Sequence, residues 1–267
     1  MKNLQQSNIC DEPSSGLIDH GLSLKTSKDQ KHERCVHQRL YRINLNRREC
    51  SGFTLIEVAT VLMIIGLMLG GVFKAQGVTE TSTVHQLEGD FRNIAIYINE
   101  YQGAFHALPG DDASIGSANS HLANAVSCPA PIVGKCLTGN GIIDGRWNDT
   151  TAASESFLVW QHLRLAGYVS GDTDITSANY PAKNIVGGIL GVTNPAASPI
   201  VGLKGNYIIC SDGIAGKFVK QIDIAMDDGN TATGSVLASI RGTAIDGTAI
   251  ATNSIVDNEL YLVCTGV

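Results

Sequence analysis

A run of 21 residues, from Phe53 to Phe73, contains no Lys or Arg and a single acid. A helix rises about 1.5 Å per residue, so a helix of this length spans the ~30 Å hydrocarbon layer of a bilayer. The sequence therefore predicts a membrane-spanning helix over 53–73 and a single-pass protein.

The one acid in this run is Glu57. A carboxylate near the middle of a span costs about 2.5–3.5 kcal/mol on insertion scales, and less toward the end of the span. Two interpretations are open for this residue. Either Glu57 reaches the headgroup region and does nothing more, or a positively charged group meets it there.

The residues around Glu57 favour the second interpretation. Gly-Phe-Thr-Leu-Ile-Glu at 52–57, preceded by two arginines, resembles the processing site of type IV prepilins and type II secretion pseudopilins. The resemblance implies that a prepilin peptidase cleaves between Gly52 and Phe53 and N-methylates the new terminus at Phe53. It also implies that Glu57 pairs with the N-terminal amine of a neighbouring subunit during filament assembly. Removing one partner of a buried ion pair costs about 3–5 kcal/mol.

The charge distribution gives an orientation for the span. Residues 1–52 carry nine Lys and Arg against six acids, whereas residues 53–267 carry ten against 19, a net charge of −9. Basic residues before a span favour a cytoplasmic N-terminal side. We expect 1–52 to be a cytoplasmic leader that is removed, and a start near Ile43 or Leu45 would leave the short basic leader usual in the resembling family. The expected location is the bacterial inner membrane, with the head in the periplasm or, after assembly, on the cell surface.

The cysteines support the same division of the chain. Three of the seven lie in the expected leader, and four lie in the exported part, at Cys128, Cys136, Cys210 and Cys264. An oxidising compartment favours disulfides, and four cysteines allow three connectivities. We favour Cys128 with Cys136 and Cys210 with Cys264, because the second pair would join two apolar runs that predict neighbouring strands. Free buried thiols are the alternative.

A second half of the long helix follows the span. Apolar residues recur there at spacings of three and four, at Val84, Leu87, Phe91, Ile94, Ile98, Tyr101 and Phe105. This period predicts an amphipathic helix with one apolar stripe. Because no proline interrupts 53–108, we expect one helix over 53–106 that ends before Pro109-Gly110.

Residues 107–267 are expected to form a small globular head. Helical spacing predicts a short helix over 155–167 and another over 217–228, where alternation leaves a strand as the alternative. Strands are predicted at 207–210, 234–240 and 258–264, and the small-residue stretch 170–203 is predicted to be a solvated connection. The predicted fold class is α+β: a long hydrophobic N-terminal helix, the pilin stalk, packed on a head with an antiparallel β-sheet.

The loop 140–149 is a weak candidate for calcium. Asn140 and Asp144 supply hard oxygen ligands, and the resemblance adds that some pseudopilins bind calcium. As an EF-hand loop, however, this segment places Ile142 at a ligand position and Thr151 where Glu should stand. A plain turn is therefore favoured here, as it is for 227–230, and no cofactor is predicted.

Several function classes find no support in the sequence. The exported histidines are scattered, there is no nucleophile elbow or phosphate-binding loop, and a net charge of −9 disfavours nucleic acid. The sequence instead favours a structural subunit, most of all a pseudopilin of a type II secretion-like system acting with a prepilin peptidase, other pilin-like subunits and an inner-membrane assembly platform. The alternatives are a minor type IV pilus subunit and a ligand-binding adhesin head on a pilin stalk.

Overall fold

The longest element of the fold is helix α1, Leu55–Phe105, which has 51 residues. Its sequence contains no proline, and it ends where His106 adopts the left-handed conformation at φ 57° and donates its backbone N–H to the carbonyl of Gln102. Pro109 follows three residues later and prevents the helix from resuming. The prediction of one long helix ending near Phe105 is confirmed.

The computed structural model describes residues 52, 54–118, 120–129 and 131–267, without the side chains of 71–76. Residues 54–267 form one compact unit. The predicted leader therefore lies outside the described residues, apart from Gly52, and so does Phe53.

The head contains two further helices and four strands. The helices are α2 (Glu155–Leu165) and α3 (Gly216–Met226), and the strands are β1 (Leu190–Thr193), β2 (Ile208–Ala215), β3 (Val236–Ile240) and β4 (Leu260–Gly266). The strands form one antiparallel sheet in the order β1-β2-β4-β3. The α+β prediction is confirmed, and 217–228 is helical rather than extended.

Both faces of the sheet are buried. One face packs against the helices and includes Ile209, Ile214, Tyr261 and Val263. The alternate residues form the opposite face, where Ile208, Cys210, Leu237, Leu262 and Cys264 pack against Trp147, Ile200 and Leu203. This alternation follows from the two-residue period of a strand.

The prediction of a solvated connection over 170–203 holds for 170–179, none of which is buried, but it is wrong for the rest of the segment. The segment supplies strand β1, in which all four residues are buried, and its Tyr180 and Ile200 are fully buried as well. Small residues permit this burial because the backbones come very close. A Cβ on Gly191 would lie 1.9 Å from the carbonyl oxygen of Trp147.

The C-terminal half of α1 forms one wall of the core. Its apolar stripe is buried against the head, and Leu87, Ile98 and Tyr101 are completely inaccessible to solvent. Each such side chain contributes about 1.5–3 kcal/mol by burial. An ion pair between Glu80 and Lys217 adds a polar tie between α1 and α3.

The turn after α1 is fixed by buried hydrogen bonds. His162 of α2 accepts the backbone N–H of Gly110 on Nδ1 at 2.9 Å, and its Nε2 lies 3.0 Å from the carbonyl oxygen of Val126. This pattern requires a neutral ring with the proton on Nε2, and burial lowers the pKa of His162 accordingly. A single imidazole thus joins three segments of the head.

Glu155, at the first turn of α2, is a buried acid. Its Oε2 accepts the backbone N–H of Asp144 at 2.9 Å, whereas Oε1 has no hydrogen-bond partner. Burial, helped by the nearby carboxylates of Asp111 and Asp144, raises the pKa of Glu155 to about 8, although the hydrogen bond from the Asp144 backbone acts in the opposite direction. At neutral pH the native protein therefore holds a proton here.

We expect Glu155→Gln to weaken the pH dependence of stability. Native Glu155 keeps its proton up to about pH 8, whereas the unfolded chain releases it near the ordinary pKa of 4.5, so the free energy of unfolding of the wild type falls as pH rises through this window. The variant should match the wild type at about pH 4 and exceed it in stability above about pH 8. Chemical denaturation at a series of pH values measures the difference.

The matched control is Glu100→Gln, which changes an exposed glutamate of α1. Asp90 and Asp223, whose pKa values burial raises to about 6, contribute the same slope to all three proteins, so their effect cancels in the differences. Parallel curves for Glu155→Gln and the wild type would contradict the assignment.

Candidate functional site

The predicted processing and assembly residues lie at the start of α1. Thr54 is the N-cap residue, with an extended backbone at φ −73° and ψ 148°. Gly52 is exposed, and a Cβ added to it would meet no other atom within 4 Å.

Thr54 and Glu57 form a reciprocal capping box. The backbone N–H of Glu57 donates to Thr54 Oγ1 at 3.3 Å, while Glu57 Oε2 accepts the backbone N–H of Thr54 at 2.8 Å and its hydroxyl at 2.9 Å. A Ser or Thr followed three residues later by Glu is the sequence signature of this cap. The segment Thr54-Leu55-Ile56-Glu57 carries this signature, from which the cap could have been predicted.

The capping box fixes where the Glu57 carboxylate lies. It sits at the positive end of the helix dipole, beside the first turn, with Oε2 engaged by Thr54. The side chain is exposed, so no part of the head covers it. In the single chain, Glu57 is thus held locally and remains accessible to another molecule.

The helix surface on both sides of Glu57 is apolar and exposed. Leu55 is 88% exposed, Met63 68% and Leu67 70%, in contrast with the buried stripe further along the same helix. Gly66 and Gly70 leave the backbone uncovered, since a Cβ at either position would touch nothing within 4 Å. Exposed apolar surface of this extent is typical of an interaction site.

Within the part of the chain that the structure describes, no helix meets the length and apolarity of a membrane span. The predicted span 53–73 includes Phe53 and the side chains of 71–73, which lie outside the described residues.

The four cysteines of the head form two disulfides. Cys128 bonds to Cys136 within a loop, and Cys210 bonds to Cys264 between directly opposed positions of β2 and β4. The second bond lies in the core on the face away from α1.

The weak calcium candidates Asn140 and Asp144 lie in a hydrogen-bonded turn. Asn140 Nδ2 donates to Asp144 Oδ2 at 3.0 Å, and Asn140 Oδ1 accepts the backbone N–H of Ile142 at 2.8 Å. The nearby carboxylate of Asp111 accepts the backbone N–H groups of Gly139, Asn140 and Gly141. The loop is thus organised around Asp111, a residue of the turn that follows α1.

Beside this turn, the structure also brings together the side chains of Asp112, Ser114 and His121. His121 Nε2 lies 2.9 Å from Asp112 Oδ2, and His121 Nδ1 lies 2.8 Å from Ser114 Oγ. Asp112 also accepts the Tyr101 hydroxyl at 2.7 Å, and the His121 ring stacks on Phe105 at 4.1 Å between centroids. These contacts close the loop 112–121 onto the end of α1.

Comparison with known families identifies the N-terminal segment. The family model described as the prokaryotic N-terminal methylation motif matches residues 47–73. Comparison of the chain with curated proteins and with solved structures gives no match. The matched segment contains the predicted cleavage site, the capping box and the exposed apolar half of α1. The chain therefore carries the N-terminal methylation motif that marks type IV pilin-like and pseudopilin subunits.

Proposed function

We propose that the protein is a structural subunit of a pilus-like filament, specifically a pseudopilin of a type II secretion-like system, and that it is not an enzyme. The observation that carries this proposal is the position of the methylation motif. It covers residues 47–73, and α1 continues from it without a break into the core of the head.

The two halves of α1 suit the two tasks of such a subunit. The C-terminal half is buried in the head, whereas the N-terminal half leaves large apolar side chains uncovered in the single chain. A membrane can cover that surface while the subunit is stored, and the helices of neighbouring subunits can cover it in a filament. The expected partners are accordingly a prepilin peptidase, other pilin-like subunits and an inner-membrane assembly platform.

Glu57 provides the polar step of assembly. Cleavage after Gly52 gives Phe53 a free amine, and the exposed Glu57 carboxylate of an adjacent subunit can pair with it. In an apolar helix bundle an unpaired carboxylate costs several kcal/mol, so this pairing favours one axial stagger between neighbours. The same carboxylate must then share, or exchange, its hydrogen bonds with Thr54.

A ligand-binding head is the second candidate. A cavity of about 580 Å³ lies where α1 meets the head and is lined in part by Asn99, Leu108, Asn194 and Tyr207. Mixed polar and apolar walls of this kind suit a small ligand. In that case the pilin stalk would deliver a binding surface rather than push exported proteins.

Gly52→Ala should leave the leader attached. The peptidase cleaves after a glycine at this position in the resembling family, and among the described residues no atom lies within 4 Å of a Cβ added to Gly52. We would measure intact mass and N-terminal sequence after coexpression with a prepilin peptidase. The wild type should begin with N-methylated Phe53, and the variant should retain its precursor mass.

Gly103→Ala is the matched control, because that glycine also has open space around it but lies in α1, far from the motif. It should be processed as the wild type is. Normal processing of Gly52→Ala would remove the basis of the proposal.

Glu57→Ala and Glu57→Gln separate capping from charge pairing. A glutamine can still accept the Thr54 N–H in a capping box, but it carries no charge. If ion pairing drives assembly, both variants should be cleaved normally and should enter sedimentable filaments at least about tenfold less than the wild type. Glu100→Ala, which removes a charge from an exposed position of the same helix, should assemble normally.

Wild-type assembly of Glu57→Gln together with poor assembly of Glu57→Ala would show that Glu57 acts only as a cap. The cleavage measurement, made on the same samples, shows whether each variant reached the membrane and the peptidase.

Deletion of the gene in its native host distinguishes the machines. A pseudopilin deletion should abolish secretion of exported proteins and leave surface pili intact, whereas a minor pilin deletion should reduce pili. Loss of surface attachment with both secretion and pili intact would favour the ligand-binding head. Complementation with the Glu57→Ala variant should fail in each case, because all three roles require assembly of the stalk.

A further inference from the structure

A neutral cavity lies where the last two turns of α1 meet the head. It has a volume of about 580 Å³, and four of its eleven lining residues are Asn or Gln. Among the described residues that line it, none is Asp, Glu, Lys, Arg or His. The cavity therefore offers hydrogen bonds to a ligand without offering a net charge.

Three of these amides have no partner within the part of the chain that the structure describes. The side chains of Asn99, Gln102 and Asn206 are exposed, and none of them forms a hydrogen bond with another described residue. A primary amide has two N–H donors and one carbonyl acceptor. The three side chains can therefore bond a ligand whose groups both donate and accept, as hydroxyl groups do.

The fourth amide, Asn194, fixes one wall of the cavity. Its Nδ2 donates to the carbonyl oxygen of Ile143 at 3.1 Å, and its Oδ1 accepts the backbone N–H of Ala197 at 2.9 Å. Asp111 holds a second wall by accepting the backbone N–H of Gly141 at 2.7 Å. Both walls are thus in place before a ligand arrives, which lowers the entropy cost of binding.

Val267 fixes the third wall. Its carbonyl oxygen accepts the backbone N–H of Asn206, and the Tyr207 hydroxyl donates to the carbonyl oxygen of Ala95 in α1 at 3.3 Å. A Cβ on Gly205 would lie 2.5 Å from the Val267 carbonyl oxygen, so this close approach requires glycine. The backbone that carries the Asn206 amide is therefore held on both sides.

Apolar side chains lie between the amides. Leu108 and Pro195 are half-buried, and Ile142 is 44% exposed. A charged ligand would find no opposite charge among the lining residues, and a purely apolar ligand would leave the amides without partners. A sugar ring has C–H groups on its faces and hydroxyl groups around its edge. The lining therefore matches a neutral sugar.

A second cavity extends the first. It has a volume of about 410 Å³ and shares Gln102, Leu108 and Gly141 with its neighbour. Sites for ligands of several rings measure about 300–1,000 Å³, so this space suits an oligosaccharide better than a single sugar. Asp111 and Asp112 line the second cavity and disfavour an acidic sugar there.

We propose that these two cavities bind a neutral oligosaccharide, whose hydroxyl groups bond to the amides of Asn99, Gln102 and Asn206. Such a ligand would make the protein the binding head described above as the second candidate function, on which this proposal depends. Asn99 lies about 60 Å along α1 from Glu57, because 42 residues separate the two and a helix rises about 1.5 Å per residue. Burial of the apolar half of α1 in a filament would therefore leave the cavities accessible.

Calorimetric titration tests the proposal on the full chain, in a detergent without a sugar headgroup. The neutral probes are maltotriose, cellotriose and tri-N-acetylchitotriose, and a glycan array extends the set. At least one neutral glycan should bind with a Kd between about 10⁻⁵ and 10⁻³ M, because bonds to exposed amides replace bonds to water. Trigalacturonic acid should bind at least tenfold more weakly than the best neutral probe, since no cation meets its carboxylates.

Two pairs of variants locate the site. Ala196→Trp fills the first cavity from an exposed position and should weaken binding at least tenfold, whereas Ala178→Trp, which is exposed outside the lining, should bind as the wild type does. Gln102→Ala removes the amide that both cavities share and should weaken binding about 3–10-fold. Asn93→Ala, an exposed position of α1 outside both cavities, should not.

Three results would overturn the proposal. The first is a wild type that retains no neutral glycan on the array and binds none of the three probes at about 10 mM. The second is wild-type affinity in Ala196→Trp, which would place the glycan elsewhere. The third is binding of a neutral peptide of Gly, Ser and Ala in preference to every glycan, which would assign the cavities to extended protein segments. Cleavage and methylation at Phe53, measured on the same samples, report separately on the role as a filament subunit.

Discussion

Side chains from Val84 to Tyr101 on one face of α1 form the wall against which the sheet and helices α2 and α3 pack. The core cannot close without these side chains, because the sheet face that packs against α1 would otherwise be exposed to water. The turn after α1 depends on the same contact, since Tyr101 donates to Asp112 and the ring of Phe105 stacks on His121. A head anchored in this way moves with its helix, so axial force on the filament core would be transmitted to the head.

The second face of the sheet has a different chemistry. It is covered by Trp147, Ile200 and Leu203 from loops rather than by a helix, and it contains the Cys210–Cys264 disulfide. Loops pack against a sheet less regularly than a helix does. On this side of the sheet, the covalent bond between β2 and β4 adds stability by restricting the unfolded chain. The two faces thus rely on different means of stabilisation, helix packing on one side and a cross-strand bond on the other.

The sequence predicts the elements whose periodicity is strong, and it misses those set by tertiary contact. The stripe from Val84 to Phe105 predicts α1 because one face is continuously apolar, and α2 follows from the same signal. In α3, Ile222 is fully buried while Ile224 is 67% exposed, so the alternation that suggested a strand has no structural meaning. Strand β1 has only four residues, one of them Gly191, and the approach of the Trp147 backbone that makes glycine necessary cannot be inferred from local sequence.

The same division holds for the candidate site. The processing motif is local, and Gly52 and Glu57 are therefore identified by sequence alone, as is the Thr54–Glu57 cap once its signature is considered. The contacts beside the turn after α1 are different. His121 lies within hydrogen-bond distance of Asp112 and Ser114 only because the loop between them folds back onto the end of α1. These contacts are a property of the packed head, and no spacing of residues along the chain encodes them.

If the chain is the filament subunit proposed above, the pair of Thr54 and Glu57 can serve two of its states. The cap satisfies the carboxylate with a backbone N–H and a hydroxyl, so the single chain can keep Glu57 ionised at the end of an apolar helix without a partner protein. A cationic amine from a neighbour is a stronger partner than either donor in a low-dielectric surrounding, because the bond is charge-assisted. In the proposed filament, the carboxylate would exchange its neutral donors for a charged one, so assembly would need no intermediate with an unpaired carboxylate. The difference between the two sets of bonds would then favour the filament.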